Sequence, residues 1–462
     1  MSQEFVTVVG AGLAGSEAAF QLAKRGIPVH LLDMKPAKLS SAHSQPLFAE
    51  LVCSNSLRSE KWETGSGLLK AELRFLGSLI MEAADACRLP AGNALAVDRE
   101  AFPRYVTARL KDCPLIQIEE KRIENYTELG NAYRIIATGP LTDLPLLNSL
   151  KALLGETELF FFDAAAPLIE YDSLDMSKIF RASRYQEGEE GDYLNCPLTK
   201  EEYLRFYEAL MTAEKAAIRD FDHARLFSGC QPVEELAAEG EDTLRFGPMK
   251  PVGLIDPHTG KEAYAVVQLR RDNFQNSIWN MVGFQNRLKF AEQERVFRLI
   301  PGLEEARFAR FGVMHRNAFI NSPQCLDSRY RCKMDSKLAI AGQLSGVEGY
   351  LESTASGLWA ALKIAEELGA EAPNPAFQTR KTILGGLAAY ISQPPTRDFQ
   401  PMKANFSLLD PLSREEIKSL RKKYEIHGRS RRERRLLYSL RSLEALGFST
   451  DFIHQLVFQE AK

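Results

Sequence analysis

Three short stretches hold residue types that can do chemistry. The first is the turn Gly10, Ala11, Gly12, Leu13, Ala14 and Gly15, followed by Asp33. Glycines at this spacing allow a tight turn, bring a pyrophosphate close to the backbone and let a helix pack closely on a strand. The helix N-terminus behind them offers N–H groups and partial positive charge to phosphates. Asp33 can accept from ribose hydroxyls, and an acid there disfavours a 2′-phosphate, so NADP is not expected in this pocket. The second stretch, Glu50 to Arg58, sets Cys53 among small polar residues near a cation, which favours an accessible thiolate. The third sets Cys230 between Gly229 and Pro232, in what reads as a loop that displays the thiol. For each thiol a buried structural role remains the other reading.

These residues need elements to hold them. Phe5 to Val9 is a continuous apolar run, as expected of a strand buried on both faces. The pattern then predicts a helix from about Leu13 to Lys24, ended by Gly26, and a second strand from Val29 to Asp33. Residues 64–87 read as one long amphipathic helix carrying Leu68, Leu69, Leu73, Leu76, Leu79 and Ile80. Tyr133 to Pro140 reads as a strand ending in a tight turn at Ala137, Thr138 and Gly139. Leu338 to Gly342 is a strand leading into a turn, with Gln343 next and a helix from Ser353 to Leu368.

Between about 150 and 307 the texture changes to scattered aromatics and turn signals, with no second dinucleotide turn. The expected organisation is therefore 1–150, a first part of a dinucleotide domain; 151–307, an inserted domain; 308–410, the second part of the first domain; and 411–462, a basic helical extension. Residues 414–441 carry eleven Lys or Arg against four Glu. That density fits either a solvated helix face or an arm that touches phosphates. The fold class is α/β: a Rossmann-type FAD-binding domain interrupted by an inserted α+β domain. A single dinucleotide unit that returns to itself after a long insertion fits FAD better than a simple NAD dehydrogenase.

The 462 residues, 45% apolar and 26% charged, suit two or three packed units of an ordinary globular protein. No apolar run of about 18 residues appears, so no membrane helix is expected. The N-terminus enters a strand directly, without a secretory leader, and a cytoplasmic location is expected. Seven cysteines with no C-x-x-C pair point away from disulfides and zinc, and no metal site is expected. The net charge of −3 gives nucleic acid no general attraction, so an RNA partner needs a local basic surface.

Longer strings carry a family resemblance: GAGLAGSEAA (10–19), FAELVCSNSLR (48–58), PAGNALAVDRE (90–100), GCQPVEELA (229–237), RFGPMKPVGL (245–254), YAVVQLR (264–270), GVMHRNAFINSP (312–323) and AGQLSGVEGYLES (341–353). From residue 5 to about 410 the chain closely resembles the TrmFO family of folate- and FAD-dependent tRNA uracil-5-methyltransferases. The resemblance implies 5-methyluridine formation at uridine 54 of the tRNA T-arm. It implies a one-carbon unit taken from methylenetetrahydrofolate and carried on FAD, with NADPH or NADH as reductant. Some close relatives act on 23S rRNA instead, and a non-catalytic FAD-holding RNA-binding protein is the reading from another class. Carried over by motif, Cys230 is expected to add to C6 of the uracil. Cys53 is expected to be the second essential thiol. Gly342, Gln343, Val347, Glu348, Gly349 and Tyr350 are expected along the flavin. His315, Arg316, Lys250 and Arg270 are candidates for anionic folate or phosphate. Asp33 stands where the family often has Glu, which keeps the chemistry. The tail after Pro411 is longer and richer in arginine than the family pattern.

Overall fold

The computed structural model describes residues 5–40, 42–155, 159–184, 191–216, 225–226, 231–394 and 399–459. The apolar run at the start becomes the strand Val6–Val9, fully buried, at the centre of a six-stranded sheet. Its neighbours are Val29–Asp33 on one side and Arg134–Ile136 on the other, both parallel to it. Ile116–Glu120 extends the sheet beyond Val29–Asp33, and Asp335–Ile340 extends it beyond Arg134–Ile136. The short strand Arg331–Cys332 closes that edge antiparallel. Strands 134–136 and 335–340 are neighbours although the whole insertion lies between them in sequence. This is the returning Rossmann unit that the pattern implied.

The helix Leu13–Lys24 buries Ala18, Ala19 and Leu22 completely. It packs on the helix Tyr350–Glu367, where a Cβ on Gly357 would stand 2.1 Å from the carbonyl oxygen of Ala14. Only a side-chain-free residue permits that approach.

The stretch 64–87 is not one helix but two, Gly65–Phe75 and Leu79–Ala86. Gly77 turns the chain with φ of +68°, and Ser78 caps the second helix by accepting from the Met81 N–H. The leucine periodicity runs on across the break, because both helices bury the same kind of face. The Gly-Ser pair is the signal that overrides it.

The inserted unit has its own core around Leu194, Cys196, Phe206, Val267, Trp279, Phe284 and Phe297. Its six-stranded sheet is antiparallel throughout, in the order Phe180–Arg181, Tyr193–Leu198, Ala265–Arg271, Ile278–Met281, Leu168–Glu170, Phe308–Arg310. The last strand carries the sheet a few residues past 307. A three-stranded sheet connects the two units: Leu159–Ala164 leads out, Met314–Phe319 leads back antiparallel to it, and Arg225–Leu226 lies alongside.

Beyond Pro411 the chain is helical. Arg414–Lys423 and Arg431–Ala445 each begin with a capping box, Ser413 with Glu416 and Ser430 with Glu433. Their small core, Leu420, Tyr424, Leu437, Leu440, Leu443 and Ile453, leans on Trp62 and Phe75 of the first unit. Glu72 joins the parts. Its carboxylate accepts from the N–H groups of Ile383 and Leu384 at 2.8 and 2.9 Å, and from the Ser442 hydroxyl at 3.3 Å. Burial raises its pKa to about 7 in spite of these donors. An acid whose folded pKa lies above its unfolded one binds more protons when folded. Its contribution is fully present below about pH 4.3 and is lost as pH rises toward 7. Thermal melts of wild type and Glu72→Gln should therefore diverge in their pH dependence: the mutant should lack a decline on the order of 3 kcal/mol across that window. Identical pH slopes would remove the assignment.

Candidate functional site

The C-terminal edge of the parallel sheet opens into a cleft of ≈ 1150 Å³, its mouth included. Gly10, Gly12, Leu13, Ala14 and Asp33 line one end, and Thr138, Gly139, Gly342, Gln343 and Tyr350 continue along it, with Ala137 between. The turn has the backbone its sequence demands. Gly10 holds φ at +95°, and a Cβ there would stand 2.6 Å from the Ala137 carbonyl oxygen. A Cβ on Gly15 would stand 1.8 Å from the Gly10 carbonyl oxygen, so Gly15 serves helix-to-strand packing rather than the cleft. Gly12 differs: a Cβ there would meet nothing within 4 Å, because its open side faces the cleft.

Two helix N-termini end at this cleft, at Leu13 and at Tyr350, and neither has a side-chain cap. Orphan N–H groups and the positive ends of two helices therefore converge on one space, as a pyrophosphate requires. Lys35, Lys121 and Arg122 add cations to the lining. Asp33 is buried. One carboxylate oxygen accepts from the Ala11 N–H at 2.6 Å and the other from the Lys35 N–H at 2.8 Å, so the acid is oriented by the turn it serves. The donor set fits a dinucleotide with free ribose hydroxyls.

Of the other residues expected along the flavin, Val347 and Glu348 are not among those that line the cleft. Val347 bridges to Met402, and Glu348 pairs with Lys403 at 3.0 Å. Gly349, with φ of +113°, makes room for the ion pair of Arg58 with Glu352, 2.8 Å long.

Tyr350 links the cleft to the first thiol. Its phenolic oxygen accepts from the backbone N–H groups of Cys53 and Ser54, at 2.8 and 3.1 Å. Burial raises its pKa, so the ring presents a neutral phenol. The Cys53 segment is held from both units. Arg270, on the inserted sheet, donates to Ser54 Oγ at 2.9 Å and to Asn55 Oδ1 at 3.1 Å. Asn55 in turn donates to the carbonyls of Val97 and Arg271. Arg99 donates to the Leu51 carbonyl and forks both oxygens of Asp272, at 2.6 and 3.0 Å. Arg270 is thus a buried strut of the Cys53 segment, neither a surface ion pair nor an open phosphate contact.

Cys53 is half-buried, whereas Cys87, Cys196, Cys325 and Cys332 are buried. Burial pushes the Cys87 thiol up to about 11 and raises Cys196 and Cys332 as well, which suits inert packing. Cys113 is half-buried against the core of the first unit. Cys230 lies outside the described residues, as do the side chains of His315 and Arg316. Arg99, Asp272 and Arg310 were not foreseen as site residues. Arg99 and Asp272 sit in charged runs, Asp98 to Glu100 and Arg270 to Asp272, that read as surface in the sequence. Among the described residues no group of acids, histidines and cysteines could hold a metal ion, and no helix is long and apolar enough to cross a membrane.

The family model described as glucose inhibited division protein A matches residues 5–372. The methylenetetrahydrofolate–tRNA-(uracil-5-)-methyltransferase TrmFO of Moorella thermoacetica is 52% identical, over 97% of this chain and 98% of its own. The protein of the same name from Geobacter sulfurreducens is 53% identical over 88% of this chain and 93% of its own. Among solved structures, Aquifex aeolicus GidA superposes with a TM-score of 0.64 at 14% identity, over 99% of this chain and 76% of that one, a likeness of fold.

Proposed function

The chain belongs to the TrmFO family within the GidA fold, and on that premise we propose that it is a FAD-dependent methylenetetrahydrofolate–tRNA-(uracil-5-)-methyltransferase. We assign it uridine 54 of the T-loop as target, with NADPH or NADH as reductant. The observation that carries this reading is the Cys53 segment suspended from Tyr350 at the end of a dinucleotide cleft.

Gly10, Gly12, Leu13, Ala14 and Asp33 would hold the ADP half of FAD. Thr138, Gly139, Gly342 and Gln343 would border the flavin half. Bound there, FAD supplies the redox chemistry that a methylene from folate needs to become a methyl. The protein's own groups must make C5 of uracil a nucleophile. A thiolate adds to C6, the C5–C6 π electrons move toward the C4 carbonyl, and C5 forms its bond to the one-carbon unit. A second group then takes the C5 proton, the C6–S bond breaks, and the thiolate leaves with its electron pair. We assign the addition to Cys230 and the proton to Cys53. The base must leave its stack to reach either thiol.

The test supplies the purified holoenzyme with methylenetetrahydrofolate labelled in its methylene carbon, NADPH, and a tRNA transcript or a 23S rRNA fragment. Nucleoside mass spectrometry should find the label in 5-methyluridine of the tRNA. Label in the rRNA alone would move the substrate, and label in neither would remove the reading.

The basic extension fits the RNA partner. Arg429, Arg431, Arg434 and Arg435 are all exposed, and none of them forms an ion pair among the described residues. Changing all four to Gln should weaken tRNA binding most at low salt. The slope of log K against log salt should fall by roughly 0.7–0.9 for each phosphate that is no longer neutralised. A slope equal to wild type would make the extension a solvated face.

A further inference from the structure

The inserted sheet has two unlike faces. Leu269, Trp279, Met281 and Ile169 pack into its core, and Phe308 leans on the same core. Side chains alternate along a strand, so Arg270, Asn280 and Leu168 stand on the other face. Strand register sets these three in one row, Arg270 opposite Asn280 and Asn280 opposite Leu168. By alternation Arg310 would share the core face with Phe308, two residues earlier. A bulge between them gives Arg310 Leu168 as its partner instead, which turns it onto the row. Bulges re-aim side chains in this way beside functional sites.

Hydrogen bonds fix where the row lies. Ser54 gives its N–H to the phenolic oxygen of Tyr350, a residue of the cleft wall, at 3.1 Å. The Oγ of Ser54 accepts from Arg270 at 2.9 Å. The row thus begins one side chain beyond the end of the cleft, against the segment that carries Cys53. Opposed residues on neighbouring strands have Cβ atoms roughly 5 Å apart, so Asn280 stands directly beside Arg270. The donors of Arg270 are taken by Ser54 and Asn55. Further along the row they are spare. Asn280 is 3% exposed, and its Nδ2 is buried without a hydrogen-bond partner among the described residues. Nε and Nη2 of Arg310 are buried in the same condition.

All three spare atoms are donors, and two belong to a cation. Burying donors without acceptors is costly, and a native chain does so where something else brings the acceptor. A uracil brings acceptors at O2 and O4, and in the reaction proposed above it lies beside Cys53. When a thiolate adds at C6, the C5–C6 π electrons move toward O4, and negative charge forms there. The charge leaves O4 again when C5 forms its bond to the one-carbon unit. Donors set in advance and out of water are worth most at such an atom.

We propose that Asn280 and Arg310 recognise the target uracil by donating to its O4 carbonyl. The inference rests on the reading of the chain as a uracil methyltransferase, and it names the residues that grip the base. The inserted sheet thereby selects the base on which the dinucleotide unit acts.

The experiment measures methyl transfer by the flavin-loaded full chain to three tRNA transcripts, with uridine, 4-thiouridine or 2-thiouridine at the target position. Sulfur accepts a hydrogen bond more weakly than oxygen. Wild type should turn over 4-thiouridine about tenfold more slowly than uridine, and 2-thiouridine at nearly the uridine rate. Asn280→Leu, which keeps the volume, should lose about 100-fold in kcat on uridine. Arg310→Met should act in the same direction. Flavin content, melting temperature and the KM for methylenetetrahydrofolate should hold, because each substitution removes spare buried donors. In each variant the 4-thiouridine penalty should shrink, and in the double variant it should vanish. A penalty as large in the variants as in wild type overturns the inference, since the donors then act elsewhere. So do variants that methylate uridine at the wild-type rate, or a folate KM that rises while kcat holds. Wild type that forms no 5-methyluridine on any transcript removes the functional reading, and the inference with it.

Discussion

A Gly12→Val variant is expected to fold and to be purified colourless, without flavin. Gly12 has φ of −74°, which any residue adopts, and a Cβ there would touch nothing within 4 Å. The folded chain loses nothing it can detect, so the melting temperature of the apoprotein should be within a few degrees of that of wild-type apoprotein. What the side chain fills is the space where a pyrophosphate meets the backbone. FAD affinity should fall by roughly 100-fold or more, about 3 kcal/mol. Gly15→Val is the control with the opposite signature. Its Cβ would stand 1.8 Å from a backbone oxygen, so strand and helix must separate and the fold itself should suffer. Equilibrium dialysis of FAD and thermal melts distinguish the two. A yellow, fully loaded Gly12→Val protein would remove the cleft as the cofactor site.

The second large effect concerns Cys53. Cys53→Ala should retain FAD, because Cys53 is not among the residues that line the cleft and its backbone N–H to Tyr350 does not depend on the side chain. On the role proposed for Cys53, methyl transfer to tRNA should fall by on the order of 1,000-fold or more, since removing a group that moves a proton costs several kcal/mol. Cys87→Ala is the comparison: a buried thiol far from the cleft should cost stability and leave turnover per folded molecule unchanged. Wild-type turnover in Cys53→Ala, measured as 5-methyluridine formed per flavin, would show that the thiol is a bystander.

Much of the dinucleotide unit was readable because its signals are local. A five-residue apolar run, three glycines at fixed offsets and an acid at the end of the next strand all lie within the first 33 residues, and each has one physical reading. The break at Gly77 was harder, since the leucine pattern continues through it and only a Gly-Ser pair marks the turn. Tyr350 was placed near the flavin, but its hydrogen bonds to Cys53 and Ser54 join residues 297 and 296 positions apart. The Arg99–Asp272 fork spans 173 positions and two folding units. Contacts of that kind leave no periodicity behind. Arginines at such places look like surface charge until the fold brings them to the segment from Leu51 to Asn55.

The two strands that join the units, Leu159–Ala164 and Met314–Phe319, lie side by side. The inserted unit therefore leaves and re-enters the parent domain at one point, and its own antiparallel sheet is completed by Phe308–Arg310, before Asp335 emerges. The parent sheet is less fortunate, because Arg134–Ile136 must wait for Asp335–Ile340 before its outer edge is covered. During synthesis roughly 200 residues, ten or more seconds at a bacterial ribosome, separate those two strands. For that interval the nucleotide half exposes an unpaired parallel edge, while the inserted half can already be complete. The order of emergence thus makes the later-born unit the first to mature, and makes the open edge at Ile135 and Ile136 the place where a stalled or truncated chain would begin to aggregate.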